Sequence, residues 1–427
     1  MTKNYLENIM PDSFSGKIFA YEGIKNVVTL INGPTGCKFY HSSTSDNQEI
    51  RQFEFDPLNY PRLWYFGQPR IPCTYLDKRD YVYGSKDKIK EALKFLGENI
   101  QMELLAVINS PGASLIGDDL KGLTEGLMNI PVITEETPGY SEAFCKGYDE
   151  AVLNIIKNLA RDNKHKEEKT VNVLGLSIHH KYHRGDMAEI EKILELCGVK
   201  VNAFIGCNSR VRDMENILSA DLNIVINPEY SMNTVKYLKS RGMKTYLALP
   251  IIGFNRTEKF INDICDIYST DKSDAMEYLE RGRAKAYIHM ARLNTMTGLP
   301  KGTTYSVRGN YSLCLTYVDF LSDYFGMIPE SINITDDDVS AYKGDLIIKL
   351  AKLNREGALD ESIIDSPGDL VFADGNTIAN LKIDKKRFSG IEIALPSLGY
   401  VDVIDKTHIG VKGAMTITEQ VINGLLF

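Results

Sequence analysis

The stretch VVTLINGPTGCK, residues 27–38, joins an apolar, β-branched run to a turn rich in glycine and proline. Such a run predicts a buried strand, and Gly33 and Gly36 permit the tight, left-handed backbone of a sharp turn after it. The turn resembles a phosphate-binding loop, but Cys37 separates its last glycine from Lys38, and the chain contains no Gly-Lys-Ser/Thr sequence. We therefore expect a chain that presents a thiol at a strand end and does not hydrolyse ATP itself.

Length and composition limit the class of protein. A chain of 427 residues is too long for one compact core and suggests two or three domains. Its net charge of −8 argues against a broad nucleic-acid surface, because such a surface needs clustered Lys and Arg. No apolar stretch approaches the roughly 20 residues that span a bilayer, and the first residues contain no signal-peptide core. A cytoplasmic location is expected.

Short β-branched runs alternate with amphipathic segments along the whole chain, a pattern typical of parallel sheets with crossover helices. The predicted fold class is α/β, with three Rossmann-like domains, parallel sheets flanked by helices, and a ligand cleft between the domains. The predicted domains are residues 1–165, 166–298 and 299–427, the last with a closing C-terminal helix. The predicted strands are 27–32, 104–109, 131–136, 171–178, 201–206, 222–227, 245–250, 304–309, 331–335, 369–374 and 391–396.

The seven cysteines stand at positions 37, 73, 145, 197, 207, 265 and 314, and none belongs to a CxxC or CxxxC pair. A local zinc ribbon is therefore excluded, and a disulfide framework is not expected in a reducing compartment. At Cys37, backbone N–H groups and a helix N-terminus after the turn would favour the thiolate, the form that binds iron. The alternative is a small, buried apolar residue at this position.

Several motifs follow the turn in a fixed order. They are IPCTYL with Cys73, YVYG at 81–84, LIGDD at 115–119, TPGYSEAFCKGYDEA at 137–151, SADLNIVINPEYSMN at 219–233, and HIGVKGAMTITEQVINGL at 408–425. In order and spacing they resemble the nitrogenase component 1 family, with the stretch at 219–233 resembling the α-type subunit. That family includes the nitrogenase catalytic subunits, cofactor scaffold proteins, the dark-operative protochlorophyllide reductase and the reductive cyclase of coenzyme F430 synthesis.

The resemblance implies a cluster at the boundary between two subunits, ligated by the first two cysteines of the N-terminal domain. Cys37 and Cys73 occupy those positions, while the third family cysteine falls at Ser110 or Pro111, so an eight-iron P-cluster is not expected. A 4Fe-4S cluster needs four ligands, which a homodimer would supply as two thiolates per chain and a heteromer would supply with a second component-1-like subunit. Ser110 is a candidate oxygen ligand, and a turn-forming serine is the alternative.

A second family site is altered in this chain. The cysteine that holds the large nitrogenase cofactor falls at Asn227 or Pro228, so soft-metal anchoring is lost there, and Asn227 stands as a candidate cofactor-binding residue. His408 matches the family histidine of that site, or is an ordinary surface histidine. Dinitrogen reduction is disfavoured, and a different metallocluster or a tetrapyrrole is a further candidate. Glu135 and Glu136 end another predicted strand and could face the same cleft.

The segment HHKYHRGD, residues 179–186, directly follows a predicted strand, where α/β sheets bind ligands. His179, His180 and His183 are candidate proton donors, because imidazole titrates near neutral pH. The alternative is a solvated loop in which Asp186 caps the next helix.

These observations favour a nitrogenase-like reductase whose electrons come from a separate ATP-dependent iron-sulfur reductase, a partner that the resemblance implies. An interface cluster would relay the electrons to a substrate between the domains. A scaffold on which a metallocluster or tetrapyrrole is assembled, without turnover, is the second hypothesis. A degenerate relative that binds nothing is the third.

Overall fold

The computed structural model describes residues 11–37, 71–139, 142–162, 166–335, 341–395, 399 and 402–426. They form three α/β units, each built on its own parallel sheet, which we call the first (11–162), second (166–298) and third block (299–426). No helix within the described ranges has the length and apolarity needed to cross a membrane.

The first block contains a three-stranded parallel sheet in the order β2-β3-β4. Its elements are α1 (Ser13–Glu22), β1 (Ile24–Lys25), β2 (Val27–Asn32), α2 (Asp80–Tyr83), α3 (Lys86–Asn99), β3 (Leu104–Asn109), α4 (Pro111–Ser114), α5 (Leu120–Thr124), β4 (Val132–Glu135) and α6 (Phe144–Leu159).

Both faces of this sheet are covered, which explains why β2 and β3 read as continuous apolar runs. Leu30 and Val107 pack with Leu93 of α3 on one face. Ile31 and Ile108 face the larger core, to which α1 and α6 contribute. The two helices cross in backbone contact, since a Cβ on Gly16 of α1 would lie 2.1 Å from the carbonyl oxygen at the start of α6.

The second block contains a four-stranded parallel sheet in the order β6-β5-β8-β9. Its elements are β5 (Glu167–Leu174), α7 (His183–Leu196), β6 (Lys200–Phe204), β7 (Ser209–Arg210), α8 (Val211–Glu215), β8 (Ala220–Val225), α9 (Met232–Ser240), β9 (Lys244–Leu247), α10 (Phe254–Tyr268) and α11 (Ser273–Thr297). Short 3-10 helices lie at Ile217–Ser219 and Pro228–Tyr230. Strand β7 pairs in parallel with β1, which joins this block to the first.

The third block repeats the scheme with a parallel sheet in the order β11-β10-β12-β13. Its elements are β10 (Thr304–Gly309), α12 (Tyr311–Phe325), β11 (Ile328–Ile334), α13 (Lys343–Lys352), a 3-10 helix (Glu356–Leu359), β12 (Leu370–Asp374), α14 (Gly375–Ile383), β13 (Ser389–Ala394) and α15 (Gly410–Leu426). Helix α15 returns to pack against α7 and α11 of the second block.

The α/β class with parallel sheets and flanking helices is confirmed. The largest displacement of a predicted strand is at β5, which begins at Glu167 where the prediction began at 171, because its exposed first residues pair with neighbouring strands. Helices α10 and α11 are separate, since Ser269 adopts a left-handed conformation after α10. The domain boundaries at 165 and 298 stay predictions.

Candidate functional site

The turn after β2 places Cys37 beside Ser110. The Cys37 thiol is half-buried and hydrogen-bonded to the Ser110 hydroxyl. Burial raises the pKa of Cys37, the Ser110 hydrogen bond opposes that rise, and the charge of Asp12 adds to it. The expectation that the turn itself favours the thiolate is therefore wrong for the chain alone, in which desolvation has the larger effect. A bound metal would displace the proton.

Gly33 is required at this turn for a reason that the sequence did not suggest. Neither Gly33 nor Gly36 has a positive φ, so the predicted left-handed backbone is wrong at both. A Cβ on Gly33 would instead lie 2.5 Å from Ser110 Oγ, whereas a Cβ on Gly36 would meet nothing within 4 Å. The missing side chain at Gly33 leaves room for Ser110 to reach Cys37.

Cys73 flanks the same strand. The backbone N–H of Ile31 donates to the Pro72 carbonyl at 2.9 Å, and the N–H of Thr74 donates to the Ile31 carbonyl at 3.0 Å. Cys73, paired with Ile31, is fully buried. The two predicted cluster cysteines therefore both lie at the carboxyl end of β2, one following the strand and one beside it.

A buried hydrogen-bond network fixes this strand end. The Asn32 amide donates to Asn109 Oδ1 at 2.8 Å and to Ser85 Oγ at 3.1 Å. Thr74 Oγ1 donates to Asn32 Oδ1 at 2.9 Å, and Ser85 Oγ donates to Asp118 at 2.7 Å. Asp118 thus anchors Ser85 and does not cap the helix that follows it. The cap is Asp119, whose carboxylate accepts from the Gly122 N–H in the first turn of α5.

Exposed apolar side chains lie on α2 and just after α4, in the same block as Cys37. Val82, Tyr83 and Leu115 are 74%, 81% and 87% exposed. Tyr81 lies close enough to Cys37 that, after burial, the cysteine's charge is the next cause that raises the Tyr81 pKa. We call these four residues the apolar rim; large exposed side chains grouped in this way are typical of surfaces that another protein covers.

A second cluster of candidate residues lies where the three blocks meet. A cavity of about 60 Å³, which we call the inter-block cavity, is lined by Phe144, His179, His180, Tyr230, Arg308, Asn310 and Asp374, together with apolar residues of the third block. The segment after β5 supplies the histidines, and the carboxyl ends of β10 and β12 supply Arg308 and Asp374.

His179 is held between aromatic rings. Its ring centroid lies 4.3 Å from that of Phe144 and 5.5 Å from that of Phe19. Its Nδ1 is buried and has no hydrogen-bond partner among the residues that the structure describes. Burial lowers the pKa of His179 to about 4, and the charge of Asp374 opposes this shift. The ring is therefore neutral at neutral pH.

His180 and His183 are tied to the backbone. His180 Nδ1 accepts from the Ser177 N–H at 3.0 Å, and burial, followed by the neighbouring histidines, lowers its pKa to about 3. His183 Nδ1 donates to the His180 carbonyl at 2.9 Å. The His180 backbone also bridges to Ala394 of β13, so this segment connects the second and third blocks.

A smaller cavity of about 40 Å³ adjoins the first and shares His180 with it. His408 lies here with both ring nitrogens bonded: Nδ1 accepts from the Tyr317 hydroxyl at 2.6 Å, and Nε2 donates to Gln420 Oε1 at 2.7 Å. Burial lowers its pKa to about 3. Asn227 donates to the Gly175 carbonyl at 2.8 Å. In this arrangement His408 and Asn227 serve the packing of the cleft wall.

Asp186 does not cap α7, which begins at His183. The buried carboxylate instead accepts from Thr407 Oγ1 at 2.6 Å and from the His408 N–H at 3.2 Å. Burial raises the pKa of Asp186 to about 6. The first turn of α7 therefore contains a buried carboxyl group that changes charge near neutral pH.

Glu135 and Glu136, which could have faced the cleft or lain in a solvated turn, do not line the inter-block cavity. Glu135 is buried inside the first block, where it pairs with Lys17 at 3.3 Å and accepts from the Tyr21 hydroxyl at 2.8 Å. Glu136 is exposed, and its carboxylate lies near the start of α5. Glu135 thus connects β4 to α1 through Lys17 and Tyr21.

Sequence reasoning missed Arg308 and Asp374, although both end predicted strands, where ligand sites form in such folds. It also missed a buried ion network in which Lys181 Nζ lies 2.8 Å from Glu392 and 3.0 Å from Asp402. Within the described ranges, no three His, Cys, Asp or Glu side chains form a group that could hold a metal ion.

Known proteins share features with this chain. A family model for nitrogenase component 1 type oxidoreductases matches residues 13–426. The chain is 26% identical over 254 residues to a subunit of the light-independent protochlorophyllide reductase of Cereibacter sphaeroides, covering 58% of this chain and 48% of that protein. It is 28% identical over 237 residues to the corresponding subunit of the Acidiphilium rubrum enzyme, covering 54% and 46%. The chain spans about half the length of the curated relatives it matches.

Solved structures agree on the fold. The structure of nitrogenase Cp1 at pH 6.5 matches with a TM-score of 0.77 at 18% identity, over 96% of this chain and 91% of that one. The structure at pH 5 matches with a TM-score of 0.71 at 19% identity, over 97% and 88%. The resemblance that the motifs indicated is confirmed.

Proposed function

Because the chain belongs to the nitrogenase component 1 family, we propose that it is a nitrogenase-like oxidoreductase component. It would accept electrons from a separate ATP-dependent iron-sulfur reductase through a 4Fe-4S cluster shared between subunits. The electrons would reduce a substrate in the inter-block cavity. The position of both Cys37 and Cys73 at one strand end is the observation that carries this proposal.

The donor set suits an iron-sulfur cluster. Thiolates are the usual protein ligands of such clusters, and each chain offers two at this strand end. A second copy would complete the four ligands across a twofold axis, and a related subunit with its own cysteines would serve equally. Cys37 is the more accessible of the pair, so it would lie at the interface between chains. Cys73 is buried and would ligate the cluster from the interior of its own chain. When bound, the cluster supplies one-electron transfer.

The apolar rim supports a partner surface. Tyr81, Val82, Tyr83 and Leu115 expose apolar atoms in the same block as Cys37. A second subunit or the reductase would bury them, and burial of apolar area is the main driving force of such association.

The cleft provides proton transfer. His179 is neutral at neutral pH, because burial holds its pKa at about 4. Negative charge on the bound substrate would raise that pKa, so that His179 would take up a proton and pass it to the substrate. Asp186, whose pKa burial raises to about 6, lines the smaller adjoining cavity and is mostly ionised at neutral pH, so it would accept and return a proton there.

Dinitrogen is not the proposed substrate. Asn227 and Pro228 stand where the family's cofactor cysteine belongs, and neither is a soft-metal ligand. His408, the other family anchor, has both nitrogens engaged by Tyr317 and Gln420. The cleft is therefore better suited to an organic substrate than to a large metallocluster.

Anaerobic purification tests the proposal. We expect a broad absorption at the blue end of the visible spectrum and about four irons per pair of chains. Cys37→Ala and Cys73→Ala should each lose most of the iron, and Cys314→Ala, a change at a buried core cysteine, should not. Unchanged iron in both site variants would refute the cluster assignment. If iron binds but ATP and a cognate reductase yield no reduced product, the scaffold hypothesis is favoured.

A further inference from the structure

We propose that the inter-block cavity binds a carboxylate group of the substrate, with Arg308 as the cationic anchor and His179 as its hydrogen-bond partner. The inference rests on the proposed function, because it names the chemical class of the molecule reduced in that cavity. The charge, burial and size of the cavity support it.

Arg308 is held in place at the carboxyl end of β10. Its Nη1 donates to Thr377 Oγ1 at 2.7 Å, and its Nε lies 3.8 Å from Asp374 Oδ2, beyond hydrogen-bond distance. Asp374 accepts from the Thr377 N–H at 3.0 Å and from Thr377 Oγ1 at 2.8 Å, so the start of α14 engages its carboxylate. Arg308 lines the inter-block cavity, and a guanidinium fork matches the two oxygens of a carboxylate.

His179 supplies the second contact. It is 8% exposed and lines the cavity, and its Nδ1 is a buried polar atom without a partner within the described ranges. Such atoms are rare in folded proteins, because desolvation without a hydrogen bond is unfavourable. A ligand oxygen that accepted from this nitrogen would remove the penalty.

The volume of the cavity and the charges of its lining side chains favour a small monoanion as the ligand. A volume of about 60 Å³ accommodates about four or five water molecules, which corresponds to a carboxylate with one or two carbons attached. Asp374 lies beside Arg308 and would repel a dianion such as a phosphate monoester. The rings of Phe144 and Tyr230 and the side chain of Leu313 form apolar walls, so the carbon skeleton of the substrate would extend along them.

The test uses the chain as purified, without iron, reductase or ATP, and radiolabelled propionate as the probe in equilibrium dialysis at neutral pH. Unlabelled propionate should displace the label, and propionamide, its neutral isostere, should not. Arg308→Met should weaken propionate binding by about tenfold or more. Arg308→Lys should bind at an intermediate level, and Arg281→Met, a change at an arginine 78% exposed on α11, should bind like the wild type.

Thermal unfolding shows whether Arg308→Met is folded, and His179→Phe provides a second variant with an expected several-fold weaker binding. Wild-type affinity in both variants, equal competition by propionamide, or no saturable propionate binding to the wild type would each overturn the inference. A chain that contains iron but does not bind propionate contradicts this inference alone. A chain that binds propionate but never contains iron contradicts only the proposed cluster.

Discussion

The turn at Cys37 and the inter-block cavity are both built at carboxyl ends of parallel strands, yet they meet opposite surroundings. The turn opens to the surface, with an exposed apolar rim and a half-buried thiol. The cavity lies between the blocks, and burial has lowered the pKa of each histidine that lines it. The difference teaches that one sheet geometry can serve two tasks: an open end suits a group shared with another chain, and an enclosed end suits a substrate kept from water.

The largest expected effect separates the two regions. Cys37→Ala removes one of the two thiolates of each chain, so nearly all iron should be lost while propionate binding is unchanged. Arg308→Met should have the reverse pattern, because Arg308 lies in the third block. Iron analysis and dialysis on both variants provide the check. A variant that altered both quantities would show that the regions are not independent.

The pH dependence of stability should differ between wild type and Asp186→Asn. The folded-state pKa of Asp186 is raised from 3.8 to about 6. The contribution of this group to the free energy of unfolding is therefore fully present below pH 3.8 and is lost as the pH rises from there through about 6. A shift of about two units corresponds to at most about 3 kcal/mol. The amide keeps the acceptor for Thr407, so the variant should gain stability relative to wild type between pH 4 and 7. Denaturant unfolding at several pH values measures this, and a constant difference would contradict it.

Substitutions at the two glycines of the turn test how tightly its scaffold is packed. Gly33→Ala places a methyl group 2.5 Å from Ser110 Oγ, so we expect a loss of about 1–3 kcal/mol in the free energy of unfolding and weaker iron retention. Gly36→Ala meets nothing within 4 Å and should change stability by less than about 0.5 kcal/mol. Equal losses in the two variants would mean that the turn is not organised around Ser110.

The smallest expected effect concerns the wall of the smaller cavity, which Tyr317 and His408 line. Tyr317→Phe removes the hydroxyl that donates to His408 Nδ1, which should cost about 1 kcal/mol in the free energy of unfolding. Tyr83→Phe removes a hydroxyl from a side chain that is 81% exposed and should have no measurable effect on the isolated chain. Urea unfolding of both variants compares them. A silent Tyr317→Phe would place His408 outside the packed wall.

Much of the fold could be predicted from the sequence, because buried parallel strands read as apolar runs with turns at their ends. The runs at 27–32 and 104–109 coincide with β2 and β3. The start of β5 could not be predicted, since its exposed residues pair through the backbone and carry no apolar signal. The periodicity of apolar residues indicates which side chains are buried, but it carries no information about backbone pairing.

Less of the candidate site could be predicted. The sequence indicated Cys37, Cys73 and the histidine segment, because residue type and position after a strand are visible locally. It did not place Glu135 against Lys17, or Arg308 and His179 around one cavity, since these pairs are 118 and more than 120 residues apart. Burial, which raises the pKa of Cys37 and lowers the pKa of His179, His180 and His408, is likewise a property of the folded chain.

Native mass spectrometry of the anaerobically purified chain tests the central claim most directly, since it counts chains and irons in one species. The account predicts that a single four-iron cluster accompanies each pair of chains, and that Cys37→Ala yields chains without iron. A cluster carried by a monomeric chain, or pairs of wild-type chains that contain no iron under strictly anaerobic conditions, would contradict it.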